Sequence, residues 1–184
     1  MRRLLIIFIS SFLILTTKSY SNITNQIIYK LEKTNNYNFE FKQKIDNKKE
    51  TGKCFLVFDR KINCKYDNSG KILISDGTNL IIKNSNSDNP NFYKLEDTFF
   101  YKILDKNFLI KELKNKNVEK ENDKLFLNIN YQDIVIKVFF DNKELYLKGW
   151  KTTDIYNNFV HTDIKILQIN EIVEDDLFNI NNYN

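Results

Sequence analysis

Much of the chain alternates between apolar and polar residues with a period of two, which is typical of half-buried strands. Phe39 and Phe41, for example, alternate with Glu40 and Lys42. The pattern predicts further strands over residues 52–58, 62–66, 72–75, 79–83, 124–131, 133–140, 144–151 and 159–168. We therefore expect a sheet of about ten strands.

Short polar turns separate neighbouring strands, so the strands are expected to pair as antiparallel hairpins. The strongest turn signal is Asp76-Gly77, because glycine accepts the positive φ that tight hairpins require. Residues 134–136 and 138–140 are apolar on both faces. One face of such a strand can pack in a core, and the other must meet a helix, a second sheet or a ligand.

A few segments have helical spacing instead. Residues 24–33 place three aliphatic side chains on one helical face. Residues 98–104 and 107–113 predict one or two short amphipathic helices, and residues 116–123 predict a charged loop. The predicted caps are Thr24 or Asn25 for the first helix and Thr98 for the next. The expected fold class is mainly β (α+β).

The N-terminus has the three parts of a secretory signal peptide. A basic start precedes an apolar run over residues 4–15, and Ser19-Tyr20-Ser21 fits a small-x-small cleavage site. The run is about a dozen residues, short of the roughly 20 that span a bilayer. An uncleaved anchor is the alternative. We expect cleavage after Ser21, with residues 1–21 as the signal peptide and residues 22–184 as a single domain.

Removal of the signal peptide would also remove most of the net charge. The chain has 28 basic and 24 acidic residues, a net charge of +4. Without Arg2, Arg3 and Lys18 there are 25 basic and 24 acidic residues, a net charge of +1. Nucleic-acid binding needs a concentrated positive surface, which this balance does not suggest. No cysteine stands at the cleavage point, so the mature protein is expected to be soluble rather than lipid-anchored.

Residue types that carry catalysis are sparse, so we expect no enzyme activity, no metal site and no cofactor. His161 is the one histidine, and a lone histidine cannot form a metal cluster. The four glycines build neither a phosphate-binding loop nor a dinucleotide-binding motif. Acidic residues cluster over 171–176, where paired carboxylates could do acid–base work. A solvated charged loop is the simpler interpretation of this cluster.

The two cysteines, Cys54 and Cys64, lie on strands joined by a turn at residues 59–61. A register centred on Asp59 places them opposite each other, at a separation that suits a disulfide. Export would bring them into an oxidising compartment. We therefore predict a structural disulfide, and two free buried thiols are the alternative.

The order of these elements, with several short motifs, resembles the outer-membrane lipoprotein carrier family, called LolA. The longest matching stretch is Ile72–Ile82, with the sequence ILISDGTNLII. The other matching residues follow in the same order along the chain: Phe39–Gln43, Gly52, Phe58-Asp59-Arg60, Ile62–Tyr66, Gly149-Trp150, Asp154 and Asp176-Leu177-Phe178. Each piece is short, and together they extend over nearly all of the predicted mature chain.

This resemblance implies an open antiparallel half-barrel with short helices that form a lid over an apolar cavity. It implies a monomeric periplasmic carrier that binds acyl chains of lipoproteins and shuttles them from the inner to the outer membrane without catalysis. The implied partners are acylated lipoproteins, an inner-membrane ATP-driven lipoprotein-releasing complex and, in many bacteria, an outer-membrane receptor. The alternative is a related half-barrel that serves as a lipid-binding or envelope-stress sensor domain.

Arg60 matches an arginine that, in this family, hydrogen-bonds the lid and favours the closed, empty state. It is the only arginine outside the predicted signal peptide. The resemblance therefore implies a lid-locking role, with a solvated turn residue as the alternative. The sequence departs from the family at Lys61, where proline is usual, and at Cys64, where an aromatic residue is often found.

The cavity is expected to be lined by apolar residues from one face of the strands and from the short helices. The predicted lining residues are Phe39, Phe41, Leu56, Phe58, Ile62, Ile74, Leu80, Ile82, Phe99, Ile103, Leu127, Ile129, Ile136, Val138, Leu145 and Leu147. Ordinary core packing is the alternative for each of them. A register slip of one residue would move the predicted set of a strand to its other face.

Overall fold

The structure is a computed structural model that describes residues 22–58, 60–85, 89–121 and 123–183, apart from the side chain of Asp175. The predicted signal peptide lies outside these residues. The described residues form one open antiparallel sheet of 11 strands with a few short helices, which confirms the predicted mainly β half-barrel. None of the helices within these ranges has the length and apolar character needed to cross a bilayer.

The elements have the following bounds. The strands are β1 (Asn36–Ile45), β2 (Lys48–Val57), β3 (Lys61–Tyr66), β4 (Ile72–Asp76), β5 (Asn79–Lys83), β6 (Asn91–Lys94), β7 (Glu119–Glu121), β8 (Lys124–Tyr131), β9 (Ile134–Asp141), β10 (Leu147–Thr153) and β11 (Phe159–Ile169). The helices are α1 (22–32), α2 (Phe100–Ile103) and α3 (Lys106–Asn115). Three 3-10 turns cover Leu95–Asp97, Asp175–Phe178 and Ile180–Tyr183.

Strands that follow each other along the chain pair in space, apart from β6 and β7, and β1 pairs with β11 to join the two halves of the sheet. The order β6-β5-β4-β3-β2-β1-β11-β10-β9-β8-β7 leaves β6 and β7 at the edges. Both edge strands are short and carry charged side chains, which discourages pairing with other chains. Because they are short and carry charged side chains, the alternation pattern did not predict them. β7 lies where a charged loop was predicted.

The two faces of the sheet differ in what covers them. Successive side chains of a strand point to opposite faces, so Phe39 and Phe41 share the inner face while Glu40 and Lys42 point outwards. The helices cover the inner face. Their buried side chains join those of the strands in one apolar core, to which the helices contribute Ile27, Ile28, Leu31, Phe100, Ile103, Leu109 and Leu113.

On the outer face, the C-terminal segment, residues 171–183, covers part of β3 and β4. Its 3-10 turns contact both strands, and the Asn63 side-chain amide donates to the Leu177 carbonyl oxygen at 2.7 Å. Ile74 is paired with Ile81 on this face, and both are fully buried. The prediction that Ile74 lines the cavity is therefore wrong, because alternation along β4 gives the inner face to Leu73 instead.

Two of the predicted helix caps have other roles. Thr24 lies within α1, and its hydroxyl oxygen accepts a hydrogen bond from the N–H of Val118 at 3.2 Å. The Thr98 hydroxyl donates to the carbonyl oxygen of Leu95 at 2.9 Å, at the end of the preceding 3-10 turn. Phe99, rather than Thr98, directly precedes α2.

Candidate apolar-ligand site and its lid

An apolar cavity of about 130 Å³ opens between the inner face of the sheet, the start of α2 and the β10–β11 loop. Most of its wall is hydrocarbon and aromatic: Ile45, Leu73, Leu80, Ile82, Tyr93, Phe99, Phe100, Ile155, Tyr156 and Val160. Gln43, Tyr66, Lys71, Thr98 and Asp154 add polar groups. A largely apolar wall with a few polar groups is typical of small-molecule sites.

A second space in the half-barrel shares part of its wall with this cavity, including Phe100 of α2. The second space, here called the inner gap, has a volume of about 10 Å³ and is lined by Phe39, Phe41, Gln43, Cys54, Ile62, Cys64, Tyr66, Leu73, Phe100, Trp150 and Thr162. The Phe100 ring packs edge-on against Trp150, with ring centroids 6.2 Å apart. Because Phe100 lines both spaces, movement of α2 away from the sheet would join them.

The predicted lining residues fall into four groups. Leu80, Ile82 and Phe99 line the cavity, and Phe39, Phe41 and Ile62 line the inner gap. Nine others belong to the same buried core without lining either space: Leu56, Phe58, Ile103, Leu127, Ile129, Ile136, Val138, Leu145 and Leu147. Ile74 lies on the outer face.

Sequence reasoning missed several residues that line these spaces, chiefly Leu73, Phe100 and Trp150. Leu73 was missed because Ile74, rather than Leu73, was predicted to be the inward-facing residue of β4. Trp150 follows Gly149, whose φ of 145° lies in a region that glycine favours, next to an irregularity in the pairing of β10 with β9. Simple alternation along β10 therefore gave no reliable face for Trp150.

Polar side chains meet at one end of the cavity. Lys71 Nζ lies 2.7 Å from Glu50 Oε2 and 3.9 Å from the centre of the Tyr66 ring. Lys48 Nζ lies 3.0 Å from the other oxygen of Glu50. Desolvation by burial raises the pKa of Glu50, but the two lysines outweigh it, so the pKa lies below its usual value.

A hydrogen bond crosses the mouth of the cavity. The hydroxyl groups of Tyr93 on β6 and Tyr156 in the β10–β11 loop are 3.2 Å apart. This hydrogen bond, with a smaller contribution from burial, raises the pKa of Tyr93 to about 12. The contact links an edge strand to the loop on the opposite side of the opening.

Arg60 connects the β2–β3 turn to the junction between α2 and α3. Its guanidinium group forms an ion pair with Asp105 and lies 4.3 Å from the centre of the Tyr101 ring. Its backbone N–H donates to the Leu104 carbonyl oxygen at 3.3 Å, and its own carbonyl oxygen accepts from the Ser75 hydroxyl at 3.0 Å. The structure therefore places Arg60 against α2 and α3, the helices that are expected to form the lid. Its main side-chain partner there is the Asp105 carboxylate, which sequence reasoning had not singled out.

Cys54 and Cys64 stand opposite each other in the β2–β3 ladder and are joined by a disulfide, with their Cα atoms 4.1 Å apart. Both face the inner gap. The bond closes the hairpin whose turn carries Arg60. A covalent link across this hairpin restricts how far β2 and β3 can separate beneath the lid.

The other candidate chemical groups lie away from the cavity. His161 is on the outer face, with Nε2 3.3 Å from Asp163, and burial lowers its pKa despite the opposing effect of that carboxylate. In the acidic segment, Glu171 accepts a hydrogen bond from the Asn38 amide at 3.0 Å. Across the described ranges, no three His, Cys, Asp or Glu side chains are grouped so that they could hold a metal ion.

No protein-family model matches the sequence, and no curated protein matches it. Among solved structures, the chain is similar to a LolA superfamily protein from Nitrosomonas europaea, with a TM-score of 0.43 and 9% identity over 84% of this chain and 96% of that chain. It is also similar to PNGF-II, with a TM-score of 0.27 and 8% identity over 79% of this chain and 30% of that chain. At these levels the two likenesses assign neither a family nor a function to the chain.

Proposed function

We propose that this protein is a periplasmic carrier that binds acyl chains of lipoproteins and shuttles them from the inner to the outer membrane. The observation that carries the proposal is an apolar cavity beneath helices that Arg60 ties to the sheet through Asp105. The matching motifs in the sequence, above all Ile72–Ile82, support the same function. The carrier performs no catalysis in this proposal and needs no cofactor.

The small size of the cavity fits an empty, closed carrier. Pockets that hold drug-sized ligands have volumes of roughly 300–1,000 Å³, and this cavity has about 130 Å³. Acyl chains would therefore enter only when the lid helices lift and Phe100 leaves the inner gap. A closed empty state also hides apolar surface that would otherwise promote aggregation.

A carrier of this kind would keep acylated lipoproteins soluble in water. Each methylene group buried from water is worth about 0.8 kcal/mol, so an acylated lipoprotein has a large barrier to crossing an aqueous compartment alone. Binding in the opened half-barrel would offset that cost. Release at the destination would be favoured by lid closure, which restores the Arg60–Asp105 ion pair and the packing of Phe100 on Trp150.

The proposed location and partners follow from the same function. Export by a signal peptide over residues 1–21, cleaved after Ser21, would place the protein in the periplasm. An inner-membrane ATP-driven lipoprotein-releasing complex would load the carrier. An outer-membrane receptor would unload it where the host has one, and otherwise delivery would be to the membrane directly.

A two-step transfer experiment tests this proposal. Inner-membrane vesicles that contain the releasing complex and a labelled lipoprotein are incubated with ATP and the purified carrier, and the soluble fraction is then added to outer membranes. The expected result is release of the acylated lipoprotein, followed by its delivery. The same lipoprotein without acyl chains serves as the control and should form no complex with the carrier.

Two results would count against lipoprotein transfer. Failure to bind any acylated ligand would exclude a lipid carrier. Binding of lipids without ATP-dependent release of lipoprotein would point instead to the alternative, a half-barrel that acts as a lipid-binding or envelope-stress sensor domain.

A further inference from the structure

Trp150 carries a buried hydrogen-bond donor that has no acceptor. It lies on β10, its side chain lines the inner gap and it is 3% exposed. Its Nε1 is buried and has no hydrogen-bond partner among the described residues. A buried N–H without a partner is costly, and such groups in folded proteins call for a specific explanation.

The neighbouring polar groups form hydrogen bonds with one another, and none of them accepts from the indole N–H. Gln43 donates from Nε2 to the Thr162 hydroxyl oxygen at 2.9 Å, and the Tyr66 hydroxyl lies 3.5 Å from Gln43 Oε1. Thr162 is the direct cross-strand neighbour of Trp150. The inner gap therefore has one polar end in an otherwise apolar wall, and its unused donor belongs to Trp150.

In this form the Phe100 ring packs against the indole that carries this donor. The ring meets the indole edge-on and comes from the lid helix α2, not from the sheet. Lifting the lid would remove Phe100 and expose the indole to the joined cavity. A ligand that then fills the space would meet apolar walls and one N–H group.

We propose that the Trp150 indole N–H donates a hydrogen bond to the carbonyl oxygen of the ester or amide that links an acyl chain to its head group. This inference rests on the proposed function and specifies the ligand class further. The hydrocarbon chain occupies the apolar part of the cavity and the linkage carbonyl lies at the polar end, near Thr162. Ether-linked chains of the same length have no carbonyl oxygen and leave the donor unpaired.

The expected discrimination follows from the cost of an unpaired donor. Loss of a partner for a buried polar group weakens binding by about tenfold. The protein should therefore bind a diacylglycerol about ten times more tightly than the dialkylglycerol ether with identical chains. Trp150→Phe, which keeps an aromatic ring but has no donor, should bind the two lipids equally.

The test measures displacement of a hydrophobic fluorescent probe by each lipid, for the parent protein and for Trp150→Phe. Phe41→Leu is the matched control, because Phe41 lines the same gap without a donor. This control should weaken binding of both lipids alike and keep their ratio. Trp150 is the only tryptophan, so its emission also reports directly whether ligand reaches this end of the site.

A vibrational measurement separates hydrogen bonding from packing. The infrared band of an isotope-labelled ester carbonyl should move to lower wavenumber when bound to the parent protein, but not when bound to Trp150→Phe. If Trp150→Phe does not fold, benzothienylalanine at position 150 replaces the indole N–H by sulfur in a ring of nearly the same shape.

The outcomes distinguish this inference from the function on which it rests. If neither lipid displaces the probe, the carrier function fails. If the parent protein binds ester and ether lipids equally, or if Trp150→Phe keeps the preference, the carbonyl contact is overturned while lipid binding stands.

Discussion

Asp105 serves two partners at once, and one of them is Arg60. Its Oδ1 accepts a hydrogen bond from the N–H of Phe108 at 2.9 Å, which caps the N-terminus of α3. Its Oδ2 forms the ion pair with the Arg60 guanidinium group. The residue that starts the longer lid helix is therefore also the one that ties this helix to the β2–β3 turn.

We predict that Arg60→Leu opens the lid and impairs delivery of lipoprotein. The ion pair is partly buried, and its loss should shift the equilibrium between closed and open lids by about tenfold. The variant should still accept lipoprotein from inner-membrane vesicles, and should hold it more tightly because closure no longer drives release. Arg60 has a φ of 68°, so leucine keeps the same backbone strain and the change isolates the side chain.

Asp105→Asn is the companion variant for this test. Asparagine caps helices about as well as aspartate, so α3 should remain intact while the charge that pairs with Arg60 is lost. The variant should reproduce the defect of Arg60→Leu in the two-step transfer experiment. Normal delivery by Arg60→Leu would show that Arg60 is only a turn residue.

The sequence was sufficient for features that depend on local pattern. Hairpins around Asp76-Gly77 and between Cys54 and Cys64 have short, well-marked turns, and a short turn sets the register of both strands. The position of Arg60 beside the lid came from the resemblance. Its actual partner did not, because Asp105 is a residue whose role depends on a contact 45 positions away along the chain.

The face of a doubly apolar strand could not be predicted from the pattern. β4 has the consecutive apolar residues Ile72, Leu73 and Ile74, and both faces are buried, one by the lid side and the other by the C-terminal segment. Alternation carries no preference between them. The outer face of β4 is buried because residues 171–183 return over it. The sequence near β4 does not reveal this contact.

Adjacent residues on β4 give a direct test of this assignment. We predict that Ile74→Ala lowers the free energy of unfolding by about 2–5 kcal/mol, because it leaves a cavity under the C-terminal segment. It should leave the affinity for an acyl-chain probe unchanged. Leu73→Ala removes part of the wall shared by the cavity and the inner gap, so it should alter probe affinity as well as stability.

Urea unfolding and probe titration on the same two preparations provide the measurements. For each variant, the loss of probe affinity is compared with the loss in free energy of unfolding. This ratio is decisive, since both substitutions shorten a buried aliphatic side chain. A loss of probe affinity in Ile74→Ala that equals the loss in Leu73→Ala would contradict the assignment of the two faces.

The disulfide should contribute substantially to stability. It joins residues separated by 10 positions, and closing a loop of this size stabilises a protein by about 3 kcal/mol in the chain-entropy account. The double variant Cys54→Ser, Cys64→Ser should lose about this amount in urea unfolding. Reductant should destabilise the parent protein to a similar extent and leave the double variant unaffected. Alkylation of both cysteines in protein isolated from an oxidising compartment without reductant would refute the disulfide.

Acid should weaken the polar cluster at the end of the cavity, which consists of Glu50, Lys71 and Lys48. The direction of this pH effect on stability follows from the pKa of Glu50. The folded protein lowers this pKa below the ordinary value of 4.5, because Lys71 and Lys48 favour the charged carboxylate more than burial opposes it. The resulting stabilisation is fully present above about pH 4.5 and is lost as the pH falls through the folded-state pKa. Glu50→Gln should therefore be less stable than the parent at about pH 7, and the difference should shrink by about pH 3.

Glu40→Gln is the control for this pH dependence. Glu40 is about half exposed, and its nearest lysines, Lys53 and Lys165, are 3.7 and 3.8 Å away. Exposed ion pairs contribute little, so this variant should differ from the parent only slightly at either pH. Urea unfolding of the three proteins at both pH values provides the comparison. If the gap between the parent and Glu50→Gln stays constant or widens in acid, the two lysines do not stabilise the Glu50 carboxylate, and the cluster acts through packing alone.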